Sequence, residues 1–229
     1  DFPKSVSELK RFFAFVYPDI KLDGVFAVNY SLLEDLIDVL AHVETGGQTY
    51  TKHTLFSLME YHVNNIDRRN EKALSERKKI LSFLFHRLLE KMAFSPLRWR
   101  QLSDVIVEHL NTKNIQLYFE DPGLQRVVYE KGWSGAWPQK VKADVLFESD
   151  FLAVVEGNFG GMKSDRYIKR DVQYFLRIVR NPETGLLEGR VRLTLDFFHS
   201  GSYNIPLSGN YKGYLRVYVP KGSRLVAGP

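Results

Sequence analysis

Apolar side chains in the first 140 residues or so recur at the three- and four-residue spacing of amphipathic helices. The helices that this spacing predicts run over residues 5–16, 31–40, 52–64, 69–92, 96–110 and 124–129. The buried face expected for the second of them consists of Leu32, Leu33, Leu36, Ile37 and Leu40. Short apolar runs at 25–28 and 115–119 predict strands. Helices mixed with strands in this way are typical of layered α/β or α+β folds.

Two of the predicted helices have a sequence signal for where they begin. Ser5-x-x-Glu8 and Ser31-x-x-Glu34 have the spacing of a capping box, so both helices are expected to start at these serines. The helix over 69–92 is the longest, and its apolar positions again repeat at helical spacing. Its expected inward face comprises Leu74, Leu81, Leu84, Phe85, Leu88 and Met92.

After about residue 140 the apolar residues alternate with polar ones, as they do in strands. The clearest strand is expected to point inward Val191, Leu193, Leu195 and Phe197. A hairpin turn is predicted at 181–185, and further strands follow between Pro- and Gly-containing turns. The expected fold class is therefore α+β, with an N-terminal α/β layered domain over residues 1–140 and a C-terminal immunoglobulin-like β-sandwich domain over 141–229.

The composition of the 229-residue chain narrows its chemistry. There is no cysteine, which excludes disulfides, zinc–thiolate sites, iron–sulfur clusters and cysteine catalysis. No apolar stretch approaches the ~20 residues of a membrane span, and no signal peptide opens the chain. The chain starts at Asp1 without a methionine, so we expect it to be cut from a longer protein, with its N-terminal domain truncated.

The net charge of +5 is unevenly distributed, and the only dense basic block covers residues 66–100. Arg68, Arg69 and Arg77 in this block are candidate phosphate ligands, because guanidinium groups make bidentate, charge-assisted bonds to phosphate. Arg69 and Arg77 lie about two turns apart on one predicted helix, so they are able to converge on a diphosphate. The alternative interpretation is a solvated face of a long helix.

Residues 157–164, Gly-Asn-Phe-Gly-Gly-Met-Lys-Ser, form a glycine-rich segment with two interpretations. A tight turn is the first, because glycines accept unusual backbone angles and Asn158 supplies local hydrogen bonds. An anion-binding loop is the second, with Asn158, Gly160, Gly161 and Lys163 as its candidate residues. A Walker loop is excluded, since Met162 separates the last glycine from the lysine.

Other candidate chemistry is sparse. The histidines have no spacing of paired metal ligands, and His62 and His109 are interpreted as packed helix residues. The carboxylates of Asp35 and Asp38 have no partner that is visible in the sequence. Strand arginines are interpreted either as cross-strand partners of acids or as a basic face for anionic polymers; they are Arg170, Arg177, Arg190, Arg192 and Arg216.

Aromatic residues offer a further binding surface. Tryptophan and tyrosine rings present rigid, amphipathic contact area that suits glycans. Core filling and cross-strand pairing explain the same residues equally well. The residues concerned are Trp133, Trp137, Tyr203, Tyr211, Tyr214 and Tyr218. No motif of nucleic-acid binding accompanies the positive charge, so nucleic acid is not expected as a partner.

Five segments, in order along nearly the whole chain, resemble a bacterial family called domain of unknown function 4012. They are residues 22–28, 114–119, 132–135, 157–170 and 214–223, of which Gly-Asn-Phe-Gly-Gly-Met-Lys-Ser-Asp-Arg-Tyr is the most distinctive part. The resemblance covers the C-terminal portion of that family. It implies an exported protein at the cell surface, anchored to the membrane through a segment upstream of this chain, with no assigned activity.

A fainter resemblance links Asp23-Gly24-Val25 and residues 67–91 to the core of the LytR–CpsA–Psr family. Those envelope enzymes transfer glycopolymers from polyprenyl-pyrophosphate lipids to peptidoglycan, using arginines, an acidic residue and a divalent cation. The comparable positions here are Asp67, Arg68, Arg69, Arg77 and Lys78. The resemblance implies a similar α/β layer and, for a phosphotransferase, a Mg²⁺ ion. Lys78 and Lys79 stand where that family has two glutamines.

Together these resemblances imply a cell-envelope protein that binds wall glycans or their polyprenyl-pyrophosphate carriers. If it is an enzyme, the expected activity is glycopolymer phosphotransfer. The alternative is a non-enzymatic extracellular binding or assembly module that acts through the β-sandwich. In both cases the expected partner is an anionic cell-wall polymer or a lipid-linked glycan.

Overall fold

The structure, a computed structural model, describes residues 1–64, 71–137, 151–160, 164–201 and 209–228, with the backbone alone for 62–64 and 71–78. The chain divides into two compact units, Asp1–Pro138 and Gln139–Pro229. Helices dominate the described part of the first unit, and strands dominate that of the second. The fold class is therefore α+β.

The described part of the first unit consists of helices and two short antiparallel ribbons. Its elements are α1 (Phe2–Val16), β1 (Gly24–Val28), α2 (Tyr30–Val39), β2 (Val43–Thr45), β3 (Gln48–Tyr50), α3 (Leu55–Asn64), α4 (Glu71–Ala93), α5 (Trp99–Asn111), β4 (Ile115–Phe119) and α6 (Pro122–Glu130), with a short 3-10 turn at Pro96–Arg98. β1 pairs with β4, so that Gly24 faces Phe119 and Val28 faces Ile115. β2 and β3 form a separate small hairpin.

The core of the first unit is built on α2. The predicted inward face of this helix is confirmed, because Leu32, Leu33, Leu36, Ile37 and Leu40 are all buried. They pack in one cluster with side chains from the β2–β3 hairpin and from α3, α4, α5 and β4. The additional members of that cluster are Val43, Tyr50, Leu55, Met59, Leu84, Leu88, Leu102, Leu110 and Ile115.

Both predicted helix starts were wrong by a few residues. α1 begins at Phe2, where the Asp1 carboxylate accepts a hydrogen bond from the Lys4 amide at 3.2 Å. α2 begins at Tyr30, because the Asn29 side chain accepts a hydrogen bond from the Tyr30 amide at 2.7 Å. Asp and Asn are strong caps, and each stands upstream of the serine that had been expected to start the helix.

The inward face predicted for α4 was partly wrong. Leu84 and Leu88 are buried, but Leu81 is 48% exposed and Phe85 is 45% exposed. A helix that contacts the core along one narrow stripe buries only the residues of that stripe, and the apolar residues beside it remain in water. Leu74 belongs to the part of α4 whose side chains are not described.

The second unit consists of two antiparallel ribbons. β5 (Ala153–Asn158) pairs with β8 (Gly213–Tyr218), and β6 (Ile168–Arg180) pairs with β7 (Leu187–His199). The predicted turn at 181–185 is confirmed. Asn181 closes it, since its side-chain oxygen accepts hydrogen bonds from the amides of Glu183 and Thr184.

The inward orientation expected for β7 was only half correct. Val191, Leu193, Leu195 and Phe197 do share one face of the β6–β7 hairpin, as alternation requires. That face is not buried, because Val191 is 45% exposed and Phe197 is 40% exposed. Alternation predicts which side chains lie together, but it does not determine whether another layer covers them.

The two capping signals of α2 lead to a first prediction. Replacing Asn29 with Ala removes the cap and the Asn29–Asn114 side-chain bond, so the free energy of unfolding should fall by about 1–2 kcal/mol. Ser31→Ala is the matched control. The Ser31 hydroxyl is buried without a partner in the described part of the chain, so its removal should cost nothing. Chemical denaturation of both variants checks this, and an equal loss in Ser31→Ala would restore Ser31 as the cap.

Candidate functional site

The phosphate-binding residues predicted on the basic block are only partly placed. Asp67, Arg68 and Arg69 lie outside the described residues. Arg77 and Lys78 lie on α4, but their side chains belong to the stretch for which the backbone alone is described. Their convergence on a diphosphate therefore stays a prediction.

Two later members of the basic block line a cavity of about 300 Å³ beside β2. Arg87 donates to Glu90 at 2.6 Å, and Lys91 donates to the His42 carbonyl at 2.6 Å. Both cations thus already have partners within the protein. This part of the block supports the interpretation of an internally balanced helix face.

The glycine-rich segment turns tightly after β5. The Asn158 side-chain oxygen accepts a hydrogen bond from the Gly160 amide at 2.8 Å, and its amide group donates to the buried Ser164 hydroxyl at 3.1 Å. A Cβ atom on Gly160 would lie 2.8 Å from the carbonyl oxygen of Asn210, so only glycine fits there. Because the Gly160 amide is engaged by Asn158, it is not directed at a ligand. Gly161 and Lys163 lie outside the described residues, and their role in anion binding stays a prediction.

Next to this turn, Glu156 is the centre of a cluster of polar side chains. Its carboxylate accepts hydrogen bonds from Arg170 Nε at 2.7 and 2.9 Å and from the Tyr211 hydroxyl at 2.7 Å. Partial burial opposes ionisation of Glu156, but the bonds from Arg170 and Tyr211 outweigh it and hold the pKa of the carboxyl below its usual value. The cluster links β5, β6 and the segment before β8, and its polar atoms are satisfied internally.

A second polar network joins α2 to α5 in the first unit. The ring of His109, buried on α5, places Nε2 2.9 Å from a carboxylate oxygen of Asp35, and Lys52 donates to the other oxygen at 2.9 Å. Lys52 first, and then His109, lower the pKa of the Asp35 carboxyl, although partial burial acts against them. The interpretation of His109 as a packed residue agrees with its burial, and Asp35 has the partners that the sequence did not reveal.

The β6–β7 hairpin has two chemically different faces, defined by its register. The mainly apolar face comprises Ile168, Val172, Tyr174, Leu176, Ile178, Leu187, Gly189, Val191, Leu193, Leu195 and Phe197, with Arg170, Arg180 and His199 towards its ends. The polar face comprises Lys169, Asp171, Gln173, Arg177, Glu188, Arg190, Arg192, Thr194 and Asp196, together with Phe175, Val179 and Phe198.

Three arginines lie together on the polar face. Arg177 is directly opposite Arg190, and Arg192 lies two residues along the same strand from Arg190. We call Arg177, Arg190 and Arg192 the arginine group. In the part of the chain that the structure describes, its one ion pair joins Arg190 to Glu188 at 3.8 Å, between groups that are both largely exposed. Of the strand arginines, Arg170 is instead the partner of Glu156.

The aromatic residues are dispersed. Trp133 and Trp137 belong to the first unit, where the Trp133 ring donates to Asn111 at 3.0 Å. Tyr211, Tyr214 and Tyr218 belong to the second unit, and Tyr203 lies outside the described residues. The described rings are therefore divided between the two units, and they do not all share one strand face.

Over the described residues, no group of three His, Asp or Glu side chains is placed to hold a metal ion. Within the same residues, no helix combines the length and the apolar character of a membrane span. Comparison of the chain with protein-family models, with curated proteins and with solved structures gave no match.

The Glu156 cluster leads to a second prediction. Glu156→Gln keeps the shape but removes the charge, so the free energy of unfolding at neutral pH should fall by about 1–2 kcal/mol. The folded pKa of Glu156 lies below its unfolded value, so its contribution is full above the unfolded pKa and is lost as pH falls through the folded pKa. The difference between the two proteins should therefore shrink below about pH 4.

Denaturation curves at pH 7 and at pH 3 measure this difference. Glu183→Gln, a change at the exposed hairpin turn, is the control with the same chemistry and should behave like the unmodified protein at both pH values. A loss of stability in Glu156→Gln that is independent of pH would contradict the assignment, because a purely steric effect does not titrate.

Proposed function

We propose that this chain is a binding module of the bacterial cell envelope that holds anionic, phosphate-bearing polymers on the polar face of its β6–β7 hairpin. One observation carries the proposal: the arginine group, in which Arg177 and Arg190 stand directly opposite each other on adjacent strands. Like charges in that position destabilise a hairpin. A bound polyanion would neutralise both guanidinium groups and remove this repulsion. Relief of the repulsion would therefore contribute to the free energy of binding.

The chemistry of the arginine group suits phosphate. Guanidinium groups form bidentate, charge-assisted bonds with phosphate oxygens, and they give up their hydration more readily than an ammonium group does. Arg177 and Arg192 have no ion pair or hydrogen bond to another described side chain, so binding would not have to break one. Phe175, opposite Arg192 and 60% exposed, adds an aromatic ring on which a sugar can stack.

The proposal is compatible with the resemblance to the domain of unknown function 4012 family. That resemblance implies an exported protein held at the membrane by a segment upstream of this chain. The finer fold that goes with it is an immunoglobulin-like β-sandwich formed from the β5–β8 and β6–β7 ribbons, preceded by a LytR–CpsA–Psr-like layer. The alternation of apolar and polar residues along β6 and β7 supports the sandwich part of this hypothesis.

Phosphotransfer remains a separate hypothesis. It depends on Asp67, Arg68, Arg69, Arg77, Lys78 and a Mg²⁺ ion, and no described side chain adds support to it. A wall polymer and a polyprenyl-pyrophosphate carrier share the same phosphate chemistry. The experiment on the arginine group must therefore distinguish these two sources of phosphate.

The third prediction tests the polymer site. Cosedimentation should show that the chain is retained on purified cell-wall sacculi that carry phosphate polymers, in the presence or absence of a chelator. Arg177→Gln/Arg192→Gln should weaken retention on the order of tenfold, which is a loss of about 1.4 kcal/mol. Salt should weaken the retention of the unmodified chain, because the interaction is largely electrostatic.

The control carries the same change of charge on the other unit. Arg100→Gln/Arg126→Gln replaces two exposed arginines of α5 and α6 and should leave retention unchanged. Sacculi stripped of phosphate polymers should not retain the chain. Binding to vesicles that contain polyprenyl diphosphate, but not to sacculi, would identify the lipid carrier as the source. Equal retention of the two double variants would contradict the proposal.

A further inference from the structure

Among the described residues, the two outer edges of the β6–β7 hairpin lack a pairing strand. β7 pairs with β6 on one side, and among the described residues no strand pairs with its other side. The Asn181 amide donates to the Leu186 carbonyl and the Ser200 amide donates to the Tyr167 carbonyl, at the two ends of the hairpin. Because hydrogen-bonded pairs alternate along an antiparallel ladder, the odd-numbered residues of β7 direct their amides and carbonyls to the open edge.

The register of the hairpin leaves charges of both signs unbalanced on its polar face. Asp171 is directly opposite Asp196, just as Arg177 is opposite Arg190. Both pairs are repulsive. Within the described part of the chain Asp196 has no ion pair or hydrogen bond of its side chain. An incoming strand that placed a cation beside Asp196 and an anion beside Arg190 would correct both pairs at once.

A second copy of β7 is such a strand. Two copies of β7 can pair antiparallel with the two-fold axis at Leu193, the midpoint of the strand. Each Arg190 then lies opposite Asp196 of the other copy. In the same register Arg192 meets Thr194, and Gly189 meets Phe197 on the apolar face, so a large ring covers the residue that has no side chain.

Other registers of β7 fit less well. The outer edge of β6 allows the same charge exchange about Tyr174, where Asp171 would meet Arg177 of the other copy, but β6 has no glycine for a ring to cover, so we place the interface on β7. If the two-fold axis passed through Val191, each Arg190 would lie opposite Arg192 of the other copy. If the axis passed through Arg192, the two Arg192 side chains would lie opposite each other. Pairing about Thr194 would leave two residues of the strand unpaired and would not neutralise Arg190. The register about Leu193 uses all 13 residues of β7 and pairs opposite charges twice.

From this complementarity we infer that the chain forms a symmetric dimer, in which the β7 edges of two copies pair antiparallel about Leu193. The two hairpins become one four-stranded sheet with a continuous apolar face and no open edge at β7. The dimer does not depend on polymer binding. Arg177 lies on β6, away from the new interface, whereas Arg192 lies opposite Thr194 and diagonal to Asp196 of the other copy, so Arg177 is the member of the polymer site that the dimer leaves unchanged.

Charge exchange between the two positions tests the dimer, and sedimentation velocity of the full chain measures it. The unmodified chain should sediment as a dimer at micromolar concentration. Arg190→Asp should be monomeric, because the substitution places a second carboxylate opposite Asp196 of the other copy. Asp196→Arg should be monomeric because it places two guanidinium groups together. A mixture of the two variants should dimerise, because one variant then supplies carboxylates at positions 190 and 196 and the other supplies guanidinium groups, so both cross-pairs join opposite charges.

Folding of the variants is checked independently. Within one hairpin, Arg190→Asp faces Arg177 and Asp196→Arg faces Asp171, so each change replaces a repulsive pair by an attractive one. The thermal midpoint is measured at a concentration at which the unmodified chain is also monomeric. Under that condition the midpoint of each variant should be unchanged or raised, although neither variant dimerises at higher concentration. A lowered midpoint in both variants would overturn the assigned hairpin register and the inference with it.

The matched controls lie on β6, the strand that does not form the inferred interface. Arg177→Asp and Asp171→Arg make the same charge changes and relieve the same repulsive pairs, but both should remain dimeric. The inference is overturned if the unmodified chain is monomeric at high concentration, if the mixture fails to dimerise, or if the β6 variants dissociate, which would place the interface on β6. Polymer binding by a monomeric chain would leave the proposed function standing while removing the dimer.

Discussion

The register of the β6–β7 hairpin is the constraint on which the proposed binding surface of this protein depends. It is set by the turn at 181–185, where Asn181 holds the chain through hydrogen bonds to the amides of Glu183 and Thr184. A slip of one residue would turn one strand over relative to the other, so that apolar side chains of one strand would share a face with polar side chains of its partner. The observed register collects the arginine group on one face and sets like charges opposite each other, so the hairpin retains electrostatic energy that a ligand or a second strand can release.

The two polar clusters, centred on Glu156 and on Asp35, connect elements of the fold and differ in this from the arginine group. The Glu156 cluster connects three segments of the second unit, and the Asp35–His109–Lys52 network connects α2, α5 and the segment after β3 in the first. Both contain groups with altered pKa, which is a common property of catalytic sites. Here each altered carboxyl is explained by partners that also satisfy its hydrogen bonds, so these clusters stabilise the fold. The arginine group differs from them because its charges are not matched internally.

Sequence patterns predicted an element correctly where a single local signal, such as helical spacing or a turn sequence, was present. The buried face of α2 follows from helical period, and the hairpin turn follows from the Asn-Pro-Glu-Thr-Gly sequence. The same rules failed where two local signals competed. Asp1 and Asn29 are about as good as caps as the serines downstream, so the sequence alone does not show which of two nearby caps the packing selects.

What the sequence by itself determined is therefore most of the order of helices and strands, without the short β2–β3 hairpin, together with the alternation of β6 and β7, the absence of cysteine chemistry and the positions of the basic residues. Only the tertiary structure decided which of those residues meet. His109 lies 74 residues from Asp35, Tyr211 lies 55 residues from Glu156, and the opposition of Arg177 to Arg190 exists only in one strand register. The reason is physical: side-chain pairing depends on distances between elements, and a periodic pattern within one element contains no information about its neighbour.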